Sequence, residues 1–452
     1  MPPVGAAKDR GASRERNRPN VTHDLDCQSA APATGCPKAD KRGLAVLGGP
    51  PAFAEPLHVG RPNIGDRARL LERIEGILDR RWLSNQGPLV TEFEERIATQ
   101  VGVRHCVAMC NATVALEIAI RALELSGEVI VPSFTFIATA HALQWQEITP
   151  VFCDIDPHTH TLDPGWVERM ITPRTTGIIG VHVWGRPCDT SALESIAAAH
   201  NLALLFDAAH AFGVAHQGRM IGSFGSAEVF SFHATKFVNC GEGGAVVTND
   251  DRLAEKMRLM RNFGFAGLDR VIYIGTNGKM SELSAAMGLT SLDSLEQFVA
   301  VNEGNYRSYG RELATIPGLA LLPYDETSRG NYQYAVVEVD PYLTQLSRDE
   351  LIEVLRAENV LARRYFYPGC HRMEPYASLF PHAKLVLRAT DAVAQRVLLL
   401  PTGTTIGLDE IQMICQILRL AVTSHGDVRQ ALDARRHAAG AAGSVRDERR
   451  VA

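Results

Sequence analysis

One lysine stands where an amine is costly to keep charged. Lys236 follows an apolar run containing Val229, Phe230 and Phe232. It precedes a glycine turn, residues 241–244, and a second apolar run at 245–248. An ammonium out of water is destabilised, so a lysine between two buried strands gives up its proton readily. It then becomes an amine able to form a Schiff base. An isolated lysine at a strand end more often snorkels to water, so the neighbouring chemistry decides. Asp207 ends the apolar run 202–206. A carboxylate there is either a helix N-cap or the partner of a protonated ring nitrogen, which its charge keeps cationic. His210 follows at the mouth of the same loop. The turn Cys110-Asn111-Ala112-Thr113 runs into a helical pattern. A helix N-terminus offers free N–H groups and a positive dipole end to a phosphate. Ser231, just before Lys236, adds a hydroxyl. In Ser133-Phe134-Thr135-Phe136 the aromatics alternate. One of them would lie flat on a planar ring, and either would also fill a core.

The elements that must position these residues are legible as apolar runs. They lie at 106–110, 129–132, 150–155, 176–183, 202–206, 228–232 and 245–248, with helical patterns at 113–123, 139–146, 164–171 and 190–200. Runs apolar throughout suit strands buried on both faces. This order predicts an α/β fold with a mostly parallel, helix-covered sheet of seven strands and a ligand beyond the strand C-termini. A phosphate turn, an aromatic, an acidic strand end and a buried lysine, in that order and each beyond an apolar run, describe a pocket for pyridoxal 5'-phosphate.

Around this core the pattern predicts a helix at 66–83 and another from Thr91, with Glu94 completing a capping box. A long helical pattern at 281–315 breaks near Asn302. A smaller α+β unit follows, with strands at 332–339 and 361–367, a capped helix at 347–358 and a last helix at 408–424. The expected organisation is a disordered tail at 1–42, a large cofactor-binding domain at 43–300, a small C-terminal domain at 301–424 and a flexible tail at 425–452.

Of 452 residues, 46% are hydrophobic and 21% charged, and the net charge is −5. That balance gives no general attraction to nucleic acid or to anionic membranes. No apolar run has the length of a membrane span and no signal peptide is apparent, so a cytoplasmic protein is expected. The nine cysteines show no C-x-x-C pair and no metal-ligand company. Cys106 and Cys110, four apart on one predicted strand, are read as reduced core thiols.

The stretches C-N-A-T-V-A-L-E-I-A, E-V-I-V-P-S-F-T-F-I-A-T-A, F-D-A-A-H-A-F-G, F-S-F-H-A-T-K, G-E-G-G-A-V-V-T-N-D and G-T-N-G-K-M-S-E-L-S-A-A, in fixed order, resemble the DegT/DnrJ/EryC1/StrS sugar aminotransferases of fold type I. The resemblance runs from about Leu44 to Ser424. It implies that Lys236 holds the cofactor covalently and moves the proton, that Asp207 pairs with the pyridine nitrogen, and that His210 lies near the phenolic oxygen. It places Phe136 on the ring, and Ala112, Thr113 and Ser231 in the phosphate cup. Ala112 departs from the family's usual glycine. Asn277 matches an asparagine that reaches the neighbouring subunit's phosphate, which implies a homodimer with shared sites. The implied substrates are glutamate (or glutamine) and a keto-sugar nucleotide, closest to the subgroup making dTDP-4-amino-4,6-dideoxyglucose. Arg363, Tyr365, Tyr367 and His371 fall where that family lines its sugar pocket. Amination at C3, a keto-cyclitol substrate, a sugar dehydratase and a regulatory protein of the same fold remain as alternatives.

Overall fold

The computed structural model describes residues 38–447. Seven strands form the central sheet: β1 (His105–Met109), β2 (Glu128–Pro132), β3 (Thr149–Cys153), β4 (Thr175–Val181), β5 (Ala203–Asp207), β6 (Ala227–Ser231) and β7 (Gly244–Thr248). Their spatial order is β1-β7-β6-β5-β4-β2-β3, and only β7 runs antiparallel to its neighbours. The expected α/β class and seven-stranded, mostly parallel sheet are present. Alternate residues of one strand serve opposite cores. Phe206, Phe230, Ala245 and Val247 pack on one face, and Leu205, Val229 and Val246 on the other. Burial on both faces is why these segments read as unbroken apolar runs.

A second, three-stranded antiparallel sheet is formed by β8 (Leu319–Leu321), β9 (Ala335–Val339) and β10 (Val397–Leu400). Helices Arg348–Ala357 and Leu408–Thr423 bury Leu351, Leu355, Ile414 and Leu418 in one cluster with Val337 and Leu398. Ser347 and Glu350 form the capping box of the first of these helices.

Several expectations are corrected. The long helical pattern breaks at Ser294, between helices Glu282–Asp293 and Leu295–Leu313. Asn302 lies inside the second helix, where its amide donates to the Asn331 carbonyl at 3.2 Å. The helix expected from Thr91 begins at Pro88, with proline at its first position. Glu94 accepts the Ala108 N–H at 2.8 Å and pairs with Arg261 instead of capping. Cys110 lies past the end of β1, on the turn. The strand expected at 361–367 shrinks to Val360–Leu361, because the chain turns with hydrogen bonds from Tyr367 N to Arg364 O and Gly369 N to Phe366 O.

Leu44, Val46, Phe53 and Leu57 are buried in the same cluster as Val337 and Leu398. Most of the expected tail 1–42 lies outside the described residues. Where it is described, Lys38 is anchored: its buried amine meets Glu358 at 2.8 Å and the Gly43 and Pro50 carbonyls. The tail expected to fray after Ser424 forms a helix, His425–Asp447, that buries Val428 and Leu432 at i, i+4 spacing. Residues 448–452 lie outside the description.

Candidate active site

Lys236 sits on the loop between β6 and β7. Hydrogen bonds from Lys236 N to His233 O (2.8 Å) and from Ala234 N to Gly241 O (2.7 Å) hold the loop. The residue as a whole is half-buried, but its amine is enclosed and donates to the Tyr334 phenol oxygen at 3.1 Å. Burial lowers the amine pKa to about 8, against the opposing charge of Asp207.

Asp207 closes β5 and is buried. Residues 208–214 form turns rather than a helix, so the N-cap role is absent. Instead Oδ2 accepts the Thr139 hydroxyl at 2.8 Å, and Oδ1 accepts the Ala209 N–H at 3.1 Å. Burial raises the carboxyl pKa, while the Ala209 and Thr139 donors and the charges of Lys236 and His182 pull it down. His210 accepts the Trp184 N–H on Nδ1 at 3.2 Å, which leaves its proton on Nε2. Burial, then the charge of Lys236, push its pKa well below the ordinary range, so the ring is neutral. Its ring lies nearly parallel to those of Trp184 (23°) and Phe366 (14°), which also stack on each other.

The phosphate-binding candidates gather at the same sheet edge. Ala112 and Thr113 open the helix Ala112–Ala122, and Asn111 caps it by accepting the Val114 N–H at 2.9 Å. Capping leaves the earlier N–H groups free. Ala112 has helical torsions, so alanine in place of glycine carries no left-handed strain. Gly244 stands opposite both Ser231 and Met109 in register. A Cβ on Gly244 would lie 2.5 Å from Ala112 N. Glycine there lets β7 pass close beneath the turn and brings Ser231 and Ala112 to one row.

Of the two phenylalanines, Phe134 is 1% exposed and packs against Trp184 and Phe366. Phe136 is 58% exposed at the start of helix Ile137–Gln144 and is free to face a ring. Asn277 is exposed and bridges Asn262 on an extended segment, ahead of the helix at Glu282. Among the described residues no hydrogen bond joins it to Lys236, Asp207, His210 or Tyr334 of its own chain. Arg363 is exposed over the Tyr365 ring at 5.1 Å, and Arg364 covers Tyr367. His371 is buried, its Nδ1 2.7 Å from the Ser133 hydroxyl and its Nε2 3.2 Å from Asp391, so it braces a loop.

Three residues escaped the sequence reading. Tyr334 carries the partner of the lysine amine but read as one more residue of a strand. Thr139 touches Asp207 but read as part of a helical pattern. Trp184 adopts a left-handed φ of 62° and covers His210. For Thr139, a hydroxyl on an otherwise apolar helix face was the available signal.

A buried amine of lowered pKa, an ionisable carboxylate at a strand end, a neutral histidine and a helix N-terminus with free N–H groups share one rim of this sheet. Residues 65–419 match the DegT/DnrJ/EryC1/StrS aminotransferase family. The chain belongs to that family. This aminotransferase is 35% identical over 365 residues to the dTDP-4-amino-4,6-dideoxy-D-glucose transaminase of Shigella dysenteriae, covering 81% of this chain and 99% of the relative. It is 38% identical over 307 residues to the GDP-perosamine synthase of Caulobacter vibrioides, covering 67% of this chain and 82% of the relative. Its fold matches the crystal structure of DesI determined in the presence of its TDP-sugar product, with TM-score 0.83 and 52% identity, covering 88% of this chain and 99% of DesI. No helix among the described residues is long and apolar enough to cross a membrane.

Proposed function

We propose that this chain is a pyridoxal-phosphate-dependent aminotransferase that moves an amino group from glutamate (or glutamine) to dTDP-4-keto-6-deoxyglucose, giving dTDP-4-amino-4,6-dideoxyglucose. The observation that carries the chemistry is the Lys236 amine, enclosed beside Asp207 and Tyr334 with a pKa lowered to about 8. The residues fit the cofactor. Lys236 would hold its aldehyde carbon, Asp207 its ring nitrogen, Phe136 its face, and Ala112, Thr113 and Ser231 its phosphate. Bound pyridoxal phosphate supplies an electron sink that acidifies the carbon bearing the transferred amine. Lys236, once free, is the base within reach that takes and returns the proton. Asp207 keeps the ring nitrogen cationic. The neutral His210 donates from Nε2 without adding charge.

The sugar assignment rests on the relatives named above. Support for a homodimer comes from residues 263–274, which expose Phe263, Phe265, Val271 and Ile274, with Leu268 96% exposed. An apolar patch of this kind is what a second copy covers. Arg363, Tyr365 and Tyr367 offer charge and aromatic faces to the nucleotide diphosphate and sugar. The test is a panel of keto-sugar nucleotides with glutamate or glutamine, the product read by proton–carbon correlation NMR. Nitrogen at C4 of the dTDP sugar is expected. Nitrogen at C3, turnover only of GDP sugars, or turnover only of a keto-cyclitol would overturn the substrate while leaving the cofactor chemistry intact.

A further inference from the structure

A chain of two hydroxyls ends on Asp207. The Thr139 Oγ1 lies 2.8 Å from Asp207 Oδ2, and the Thr135 Oγ1 lies 2.9 Å from Thr139 Oγ1. Thr135, Thr139 and Asp207 are all buried, so water is a poor substitute for any of these partners. The direction of the chain follows from counting protons. A hydroxyl has one proton, and an ionised carboxylate only accepts. Thr139 therefore gives its proton to Asp207, and Thr135 gives its own to Thr139. Each donation polarises the next, so the second bond strengthens the first. The other carboxylate oxygen holds the Ala209 N–H at 3.1 Å. Donors from two elements, helix Ile137–Gln144 and the loop after β5, thus fix the plane of the carboxylate and leave lone pairs for one more donor.

We propose that Thr139, backed by Thr135, is a positioning residue that holds the Asp207 carboxylate ionised and oriented toward the cofactor's ring nitrogen. The inference rests on the pyridoxal phosphate reading above. The charged and titratable groups facing Asp207 are Lys236, from the loop after β6, and His182, from the end of β4. Neither replaces the hydroxyl. The Lys236 amine donates to the Tyr334 phenol oxygen rather than to Asp207. Both ring nitrogens of His182 are engaged elsewhere, Nδ1 at 3.0 Å from Cys188 N and Nε2 at 3.2 Å from Glu228 Oε2, so neither donates to Asp207. Burial opposes the charged form of Asp207, and removing a donor lets burial win.

The test compares Thr139→Val, which keeps the shape and removes the hydroxyl, with Thr139→Ser, which keeps the hydroxyl. Apoprotein is titrated with pyridoxal phosphate, and the visible absorbance of the loaded protein is followed against pH. Thr139→Val should weaken cofactor retention about tenfold, as loss of one hydrogen bond to a charged group implies. It should also move the acid limb of the absorbance titration to higher pH. Thr139→Ser should restore both readouts, and Thr135→Val should shift both in the same sense by less. Equal losses in the valine and serine variants would mean that packing, not the hydroxyl, matters, and would overturn the inference. So would a valine variant indistinguishable from wild type while wild type binds the cofactor. Wild-type protein that takes up no pyridoxal phosphate would overturn the cofactor assignment as well.

Discussion

The Lys236 amine lies 3.1 Å from the Tyr334 phenol oxygen, which ties the reactive loop of the seven-stranded sheet to the residue leading into β9 of the small sheet. Tyr334 is well fixed. Its N–H reaches the Tyr324 hydroxyl at 3.4 Å, and its ring lies 4.6 Å from His210 and 5.7 Å from Trp184. Burial raises the phenol pKa well above its ordinary value, so it stays protonated and accepts from the amine. Tyr334→Phe keeps the ring contacts and removes that acceptor. The charged amine loses support, so its pKa should fall further. We expect cofactor capture by the apoprotein to extend to lower pH than in wild type. Turnover of the loaded enzyme should drop by up to about tenfold, because the free amine is less well held. Capture that needs higher pH than wild type would refute this role.

Lys236 itself should destabilise the apoprotein it serves. Its pKa falls from 10.5 to about 8 on folding, which corresponds to at most about 3 kcal/mol. The folded pKa is the lower of the two, so the unfolded chain binds more protons between about 8 and 10.5. Stability therefore rises with pH across that window, and the full penalty applies below about 8. Lys236→Met should raise apoprotein stability at pH 7 by about 1–3 kcal/mol in denaturant unfolding, with the gain fading at high pH. The same variant should show no transamination. In wild type, cofactor capture should accelerate as pH rises through about 8.

Glu228 is fully buried at the start of β6, and three donors converge on it. Gly222 N and Phe224 N bond Oε1 at 2.6 and 2.7 Å, and His182 Nε2 lies 3.2 Å from Oε2. Its partner His182 stacks on Phe206 at 4.6 Å and donates its backbone N–H to the Asp207 carbonyl. Glu228→Ala strands two N–H groups and a histidine away from water. A loss of about 3–5 kcal/mol is expected, by analogy with removing one partner of a buried pair. Unfolding in urea measures it. A loss under about 1 kcal/mol would show that water replaces the carboxylate.

The sheet was legible because strands buried on both faces leave no polar residues to blur their limits, and each central strand lies within two residues of its expected start. Lys236, Asp207 and His210 were legible because a charged or titratable group beside such a run is rare. What remained hidden depends on contacts distant in sequence. Tyr334 meets Lys236 across 98 residues, and Thr139 meets Asp207 across 68. Asn302 looked like a helix break because its amide is polar, but that amide serves a buried tertiary hydrogen bond. The helix after Ser424 was masked by an Ala-, Arg- and Gly-rich composition, and it docks through buried Val428 and Leu432 together with Arg435 on the Ala45 carbonyl and Arg436 on Glu353.

Asn277 separates a shared site from a self-contained one. It is exposed, yet its neighbour Gly278 accepts the Cys110 N–H at 2.8 Å, so the segment passes the entrance to the phosphate turn. Within one chain no hydrogen bond among the described residues joins Asn277 to the Lys236 cluster, while the apolar side chains at 263–274 stand uncovered beside it. If a second copy covers them, Asn277 serves the partner's site. Asn277→Ala and Lys236→Ala should each be nearly inactive alone. Refolded together, a heterodimer carries both defects in one site and neither in the other. Random pairing about a two-fold axis then leaves about a quarter of all sites native, and recovered activity near that fraction is expected. If both residues served the same chain, every heterodimer site would carry one defect and mixing would restore nothing. Absence of complementation, or a fully active monomer in sedimentation, would refute the shared site.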